Sequence, residues 1–306
     1  MKILVTGGAG FIGSHVVDMF IQAGHDVVVV DSLVTGRREN VNPRAKLYEM
    51  DIRDSRLSEV FAREKPDVVD HHAAQVDVRR SVADPLYDAE VNVLGALNLL
   101  QNAVQYSVKK VIYISSGGAV YGEPEYLPCD EAHPIHPLSP YGVSKHTVEH
   151  YLHLYGVNYG LRYLILRYAN VYGPRQDPNG EAGVVAIFGG RMLRGEPVTI
   201  NGTGEQERDF VYVEDCARAN LIGLERGEGA YNVGTGVPTT INEIYRQIRK
   251  ITGYTGEPEY GPAKMGDVFR TYLDIRKIGT ELGWEPTYTL VEGLRRTIGF
   301  LRQQEA

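Results

Sequence analysis

The chain has 306 residues, 43% of them hydrophobic and 23% charged, with a formal net charge of −7. That length suffices for one large α/β domain or two coupled ones, and mixed charges with an acidic balance favour neither a nucleic-acid partner nor an anionic membrane surface. Two cysteines, Cys129 and Cys216, form no pair motif or metal spacing and suit a reducing compartment. No run reaches about 18 apolar residues and no basic segment precedes the first apolar run, so neither a membrane span nor a signal peptide is expected. The reading is a cytoplasmic protein.

The chain opens on KILVT, an apolar run fit for a buried strand. It passes straight into Gly7-x-x-Gly10-x-x-Gly13 and an amphipathic helical pattern over 11–24. At such a junction Gly7 permits the tight turn, Gly10 lets the backbone approach a pyrophosphate, and Gly13 lets the helix pack closely on the strand. The phosphates then rest on the helix N-terminus, where unpaired N–H groups and the dipole favour anions. DVVVVD follows and closes on Asp31, 18 positions after Gly13. An acid there hydrogen-bonds the adenosine ribose hydroxyls and repels a 2′-phosphate, so the expected cofactor is NAD rather than NADP. Arg37 and Arg38 nearby weigh slightly the other way. Asp51 and Ile52, at the next strand end, are candidate adenine contacts, with an ordinary loop acid as the alternative.

A helical stretch over 55–64 leads to DVVDHHAA, a longer one over 84–106 to VKKVIYISS, and one over 140–157 to YLILRYAN. Each strand candidate is a near-continuous apolar run rather than an alternating one, the pattern of a parallel sheet covered on both faces. The alternation predicts an α/β fold, a Rossmann-type doubly wound parallel sheet. After Gly173 the texture changes: GPRQDPNGEAG is loop-like, and shorter elements continue to a last helix near 290–303. This predicts an NAD-binding domain over 1–172, with segments at about 208–238 returning to it. A smaller C-terminal substrate-binding lobe would occupy 173–207 and 239–306.

Within the helix over 140–157, SPYGVSK sets Tyr141 and Lys145 four apart, on one helical face. A lysine beside a phenol favours the phenolate. Lowering a tyrosine pKa from about 10 to near 7 takes roughly 4 kcal/mol, which an ammonium and an oxidised nicotinamide ring can supply in a partly buried site. A tyrosine so tuned takes a proton from an alcohol as hydride leaves the same carbon.

With these features the sequence resembles the extended short-chain dehydrogenase/reductase family and, within it, the UDP-glucose (UDP-galactose) 4-epimerases. The resemblance spans essentially the whole chain and is carried by TGGAGFIGSHVV, DSLVTGRREN, HHAAQVDVRRSVADP, ISSGGAVYGE, SPYGVSK, LRYANVYGPRQDP, GTGEQERDFVYVED and GDVFRTYLDIRKIGTELGWEP. It implies a reaction that starts and ends with bound NAD. Tyr141 deprotonates the sugar 4-hydroxyl as hydride leaves C4, the 4-keto sugar swings about its pyrophosphate linkage, and hydride returns to the other face. Lys145 holds the nicotinamide ribose and tunes Tyr141. Further cofactor contacts are implied at Phe11, Ile12 and Ala73.

A hydroxyl from the loop after the fourth strand assists in the family. Many members keep it four residues before the tyrosine of VYG, here Gly117; ISSGGAVYG carries an extra loop residue, so Ser116 takes the role, with Ser115 behind it. Sugar 4,6-dehydratases of the superfamily need an Asp-Glu pair just before VYG, and Gly118 and Ala119 cannot move protons. On the sugar-nucleotide side the resemblance implies contacts from Asn170, Arg208, Lys264 and Asp267. Lys264 stands where the family has arginine, which loses the bidentate fork. Thr271, where a bulky tyrosine tends to exclude N-acetylated sugars, predicts activity on UDP-N-acetylglucosamine as well as UDP-glucose.

His71, His72, His133, His136, His146, His150 and His153 show neither metal spacing with carboxylates nor a nucleophile partner, so no metal is expected. The helices around 84–106 and 140–157 carry wide apolar faces that pair in a homodimer in the family. Two rival readings are a UDP-glucuronate 4-epimerase or decarboxylase, which would need a cluster for the sugar carboxylate, and a non-catalytic NAD-binding regulator, which would not need Tyr141 and Lys145.

Overall fold

The computed structural model describes residues 1–178, 183–263 and 268–305. Its strands are β1 (Lys2–Thr6), β2 (Asp26–Asp31), β3 (Lys46–Glu49), β4 (Val68–His71), β5 (Lys110–Ser116), β6 (Arg162–Tyr168), β7 (Asn170–Tyr172), β8 (Thr199–Asn201), β9 (Glu207–Tyr212), β10 (Gly229–Val233), β11 (Pro238–Thr240), β12 (Glu259–Gly261) and β13 (Arg270–Thr271). The helices are α1 (Phe11–Gln22), α2 (Leu57–Glu64), α3 (Val78–Ala83), α4 (Pro85–Ala89), α5 (Gly95–Gln105), α6 (Pro140–Tyr159), α7 (Val184–Leu193), α8 (Val213–Gly223), α9 (Ile241–Thr252), α10 (Arg276–Leu282) and α11 (Leu290–Glu305).

Seven parallel strands form the main sheet in the order β10-β6-β5-β4-β1-β2-β3. The order reverses between β1 and β4, which opens a crevice at the carboxyl ends of the strands, where ligands of such folds bind. The apolar runs are buried on both faces for a simple reason. Ile3, Val5, Val27 and Val29 face α1 and α8, while Leu4, Val28 and Val30 face the layer of α2, α5 and α6. The doubly wound sheet expected from the sequence is therefore present, with β3 and β10 added at its edges.

Two segments differ from the sequence reading. The strand expected over 163–170 divides: β6 stays in the main sheet, and after Ala169 the chain leaves it as β7 to pair with β9. The long helix over 84–106 is not uniform, because α4 and α5 are joined by a π-helical turn at Glu90–Leu94. Asn92 sits in that turn. Its carbonyl accepts from the Gln75 amide at 2.8 Å, and its amino group lies 3.0 Å from both the Gln75 carbonyl and the Ser144 hydroxyl. A π turn at such a place follows the usual link between these bulges and functional sites.

The smaller lobe carries a four-stranded sheet, in which β9 pairs with β7, β11 and β13, and a β12-β8 pair. Phe188, Tyr245, Ile298 and Leu301 pack its helices α7, α9 and α11 around a second apolar core. Glu207–Tyr212 lies in this small sheet, whereas Gly229–Val233 lies beside β6 in the large one and α8 packs on α1. Lys264 and Asp267 fall outside the described residues.

Candidate active site

The cradle at the start of the chain is built by what the glycines leave out. Gly7 has φ +71, and a Cβ on it would lie 2.6 Å from the Ala73 amide nitrogen; one on Gly13 would lie 2.3 Å from the Gly7 carbonyl oxygen. Glycine is therefore required at both for steric reasons. Phe11 and Ile12 begin α1, and Gly10 caps it with no side chain turned back on the first amides. Those N–H groups, at the start of the helix that follows β1, suit a pyrophosphate. Asp31 ends β2 with its carboxylate accepting from the Ala9 amide at 2.9 Å and the Leu33 amide at 2.8 Å. Each oxygen keeps a lone pair for a ribose hydroxyl. Arg37 is paired to Asp177 at 3.1 Å and Arg38 to Glu49, so both arginines nearest Asp31 already carry carboxylates. These residues fit NAD.

Ala73 lies against Gly7, its amide donating to the Thr6 hydroxyl at 3.2 Å. Ile52 is buried, and its carbonyl accepts from Asn98 at 2.7 Å. The Asp51 carboxylate is already engaged by Arg53, at 2.8 Å, which holds its pKa below the usual range.

Tyr141 and Lys145 come from α6, whose start is set by Ser139 accepting from the Gly142 amide at 3.2 Å and by Pro140 in the first turn. Lys145 is buried; its ammonium donates to the Ile114 carbonyl at 2.9 Å and lies 5.0 Å from the Tyr113 ring centre and 5.9 Å from that of Tyr141. Burial lowers its pKa to about 8, while Asp88 and Glu149 pull the other way. Burial pushes the Tyr141 phenol up to about 12, opposed by a hydrogen bond with Ser116. Lys145 alone thus does not bring the phenol toward neutrality here.

The two serines of the β5 end divide cleanly. Ser116 reaches Tyr141, whereas Ser115 turns to the opposite face and donates to Glu149 at 2.6 Å. A side chain at Gly117 would meet Leu273 at 2.7 Å, so a hydroxyl cannot occupy that position without displacing it. The residues expected to meet the sugar nucleotide lie next to this loop. Asn170 is exposed, and its carbonyl oxygen would lie 3.5 Å from a Cβ on Gly118. Asn170 pairs in register with Phe210, and Arg208 with Thr271, which puts Asn170, Arg208 and Thr271 on one face of the small sheet. Arg208 donates to the Glu207 carbonyl at 2.8 Å, and Thr271 is buried.

Sequence reasoning missed the supports. Tyr113 underlies Lys145; Asp88, Gln75 and Asn92 form a buried cluster tied to Ser144, next to Lys145; Glu149 and Arg167 pair at 2.6 Å beneath Ser115. The available signal was an asparagine in the middle of an otherwise apolar helical face, since a poor helix former at such a place needs a reason.

Residues 3–234 match the NAD dependent epimerase/dehydratase family. The chain is 50% identical to a putative UDP-glucose 4-epimerase of Methanocaldococcus jannaschii, over 98% of each chain, and 43% identical to the UDP-glucose 4-epimerase of Mycolicibacterium smegmatis, over 99% of each. Its fold matches the crystal structure of UDP-glucose 4-epimerase from Thermotoga maritima with UDP-glucose at a TM-score of 0.99, with 50% identity over the full length of both. The Thermus thermophilus UDP-glucose 4-epimerase in complex with NAD matches at 0.94, with 46% identity over 99% of each chain. The glycine cradle, the Tyr141–Lys145 pair and these full-length matches agree: the chain belongs to the NAD dependent epimerase/dehydratase family.

Proposed function

We propose that the protein interconverts UDP-hexoses at C4, using bound NAD, with UDP-glucose and UDP-galactose as its substrate pair. The observation that carries this reading is the buried Lys145, its ammonium 2.9 Å from the Ile114 carbonyl at the end of β5 and 5.9 Å from the centre of the Tyr141 ring, on the same sheet as the glycine cradle. NAD, when bound, supplies the hydride acceptor and donor and a cationic ring. Tyr141 takes the proton from the sugar 4-hydroxyl and returns it; Ser116 holds the phenolate by donating to it; Lys145 lends positive charge from beneath. Phe11, Ile12 and Ala73 line the cofactor crevice, and Asp31 selects the unphosphorylated ribose. Asn170 and Arg208 hold the nucleotide diphosphate from the small sheet, and the family resemblance adds Lys264 and Asp267 as further sugar-nucleotide contacts.

The 50% full-length likeness to UDP-glucose 4-epimerases favours this substrate over the glucuronate, since the matching UDP-glucuronic acid 4-epimerase of Bacillus cereus is 33% identical. Thr271 leaves room at the sugar for an acetamido group. In support, a UDP-N-acetylglucosamine 4-epimerase from Methanobrevibacter ruminantium is 36% identical with a TM-score of 0.95. The chain pairs as a homodimer through α6 and the α4–α5 segment, where Leu86, Leu94, Val143, Leu154 and Val157 stand exposed on neighbouring helices. Among the described residues no helix is long and apolar enough to cross a membrane, and two buried free cysteines suit the cytoplasm.

The test is to incubate the purified protein with UDP-galactose, without added cofactor, and to resolve the C4 epimers by chromatography. UDP-glucose is expected to form, UDP-N-acetylglucosamine is expected to be turned over as well, and Tyr141→Phe is expected to slow turnover by roughly 10²–10⁴-fold. No conversion even with NAD supplied would reject the reaction, and equal rates for parent and variant would reject the role of Tyr141.

A further inference from the structure

Among the described residues no group of three or more His, Cys, Asp or Glu side chains could hold a metal ion on its own. The outer side of α6, directly after Lys145, nevertheless brings two imidazoles together. His146 and His150 are four apart, and their Nε2 atoms lie 3.0 Å from each other, with ring centres 4.5 Å apart. His150 is exposed and His146 is partly so. On a sequence basis these histidines have no spacing with carboxylates that signals a metal; the helix supplies the juxtaposition.

The second half of the arrangement lies behind His146. Its Nδ1 is 3.2 Å from the Glu149 carboxylate, which Arg167 anchors at 2.6 Å and Ser115 at 2.6 Å. A carboxylate there takes the Nδ1–H, which fixes the neutral tautomer with its Nε2 lone pair turned outward. That is the arrangement by which a ligating histidine is oriented in metal proteins. Two imidazole nitrogens on a tetrahedral Zn²⁺ ion at 2.0–2.1 Å stand about 3.3 Å apart, a small rotamer adjustment from the distance seen. We infer that His146 and His150 form a chelating pair for a divalent transition-metal ion of the imidazole-preferring class, Cu²⁺, Ni²⁺ or Zn²⁺.

Without metal, one Nε2–H donates to the other Nε2. On binding, the proton of that bridge moves to the Nδ1 of His150, so two neutral imidazoles present two lone pairs and no proton need leave the protein. Water fills the remaining positions on a single chain. His150 also stands midway along the exposed stripe from Val143 to Val157. If the chain pairs through this stripe, as proposed above, a two-fold axis brings the residue at its middle toward its own copy, and four imidazoles then complete one tetrahedral set.

The experiment titrates Cu²⁺ into chelator-treated full-length protein, followed by calorimetry and by electron paramagnetic resonance. The parent is expected to show a saturable site whose spectrum carries coupling to imidazole nitrogens. His150→Ala and His146→Gln are each expected to weaken it at least tenfold and to remove that coupling, and His153→Ala is expected to leave it intact. His150 is exposed, so its variant should fold, and a melting curve without metal verifies this. An isotherm and spectrum shared by parent, His150→Ala and His146→Gln would overturn the assignment, because any copper bound would then lie elsewhere. Epimerase activity plays no part in the readout, so failure here and failure of the proposed reaction are separate results.

Discussion

Ser116 shows how much a single hydroxyl does at the site. Burial holds the Tyr141 phenol up at about 12, and the Ser116 hydrogen bond acts in the opposite sense by favouring the phenolate. A general base works deprotonated, so activity rises with pH through its pKa. Ser116→Ala removes the donor, which is worth roughly 1.5–3 kcal/mol to a charged acceptor, and so moves the ascending limb of the pH–kcat/KM profile upward by about one to two units. A variant whose profile overlays that of the parent would show that Ser116 does not tune Tyr141. Ser115 cannot substitute, because it already donates to Glu149 on the other side of the strand. The extra residue in ISSGGAVYG already points to Ser116 ahead of Ser115; what only the fold reveals is that Leu273, from far along the chain, fills the space beside Gly117.

At the scale of elements, β1, its glycine turn and α1 act as one part. Gly13→Ala would drive a methyl into the Gly7 carbonyl oxygen, so the helix must move off the strand. The expected outcome is a folded protein that has lost its bound NAD, seen as helix content retained by circular dichroism and no nucleotide released on denaturation. Full NAD occupancy in the variant would contradict the close-packing role. This element was legible because all its requirements are local, as was the Tyr141–Lys145 spacing within α6. The brace under α6 was not. Glu149 meets Arg167 across 18 residues and Ser115 across 34, and its partners are known only once the sheet is built. Burial raises the Glu149 carboxyl, but hydrogen bonds from His146 and Arg167 outweigh it and hold the pKa at about 2. Its folded value is below the unfolded one of about 4.3, so the stability it contributes is complete above that pH and is lost as pH falls toward 2. Arg167→Leu leaves the carboxylate buried without its cation and is expected to cost roughly 3–5 kcal/mol at pH 7. Urea unfolding at pH 7 and pH 4 should show that deficit shrinking in acid, and a deficit equal at both values would mean that lost packing dominates.

At the scale of the whole molecule, the seven-stranded and four-stranded sheets meet at one loop. The seven-stranded sheet bears the cradle, with α6 and its Tyr141 packed on it, the four-stranded sheet bears Asn170, Arg208 and Thr271, and Gly117 with Leu273 marks the seam. The large sheet was readable from its continuous apolar strands. The small one was not, because its strands of two, three and six residues pair across long separations. The exposed apolar face of α6 makes its own prediction: Leu154→Glu should shift sedimentation from dimer to monomer while leaving the melting of each chain nearly unchanged, and an unaltered dimer would place the interface elsewhere. Asp31 carries a last consequence for anyone who wishes to re-engineer the enzyme for NADP. Its carboxylate also clasps the amides of Ala9 and Leu33, so exchanging it for a small neutral residue strands two backbone donors in a buried corner, at about 1–3 kcal/mol each. A successful swap must therefore supply substitute acceptors for both amides at the same time as it welcomes the extra phosphate.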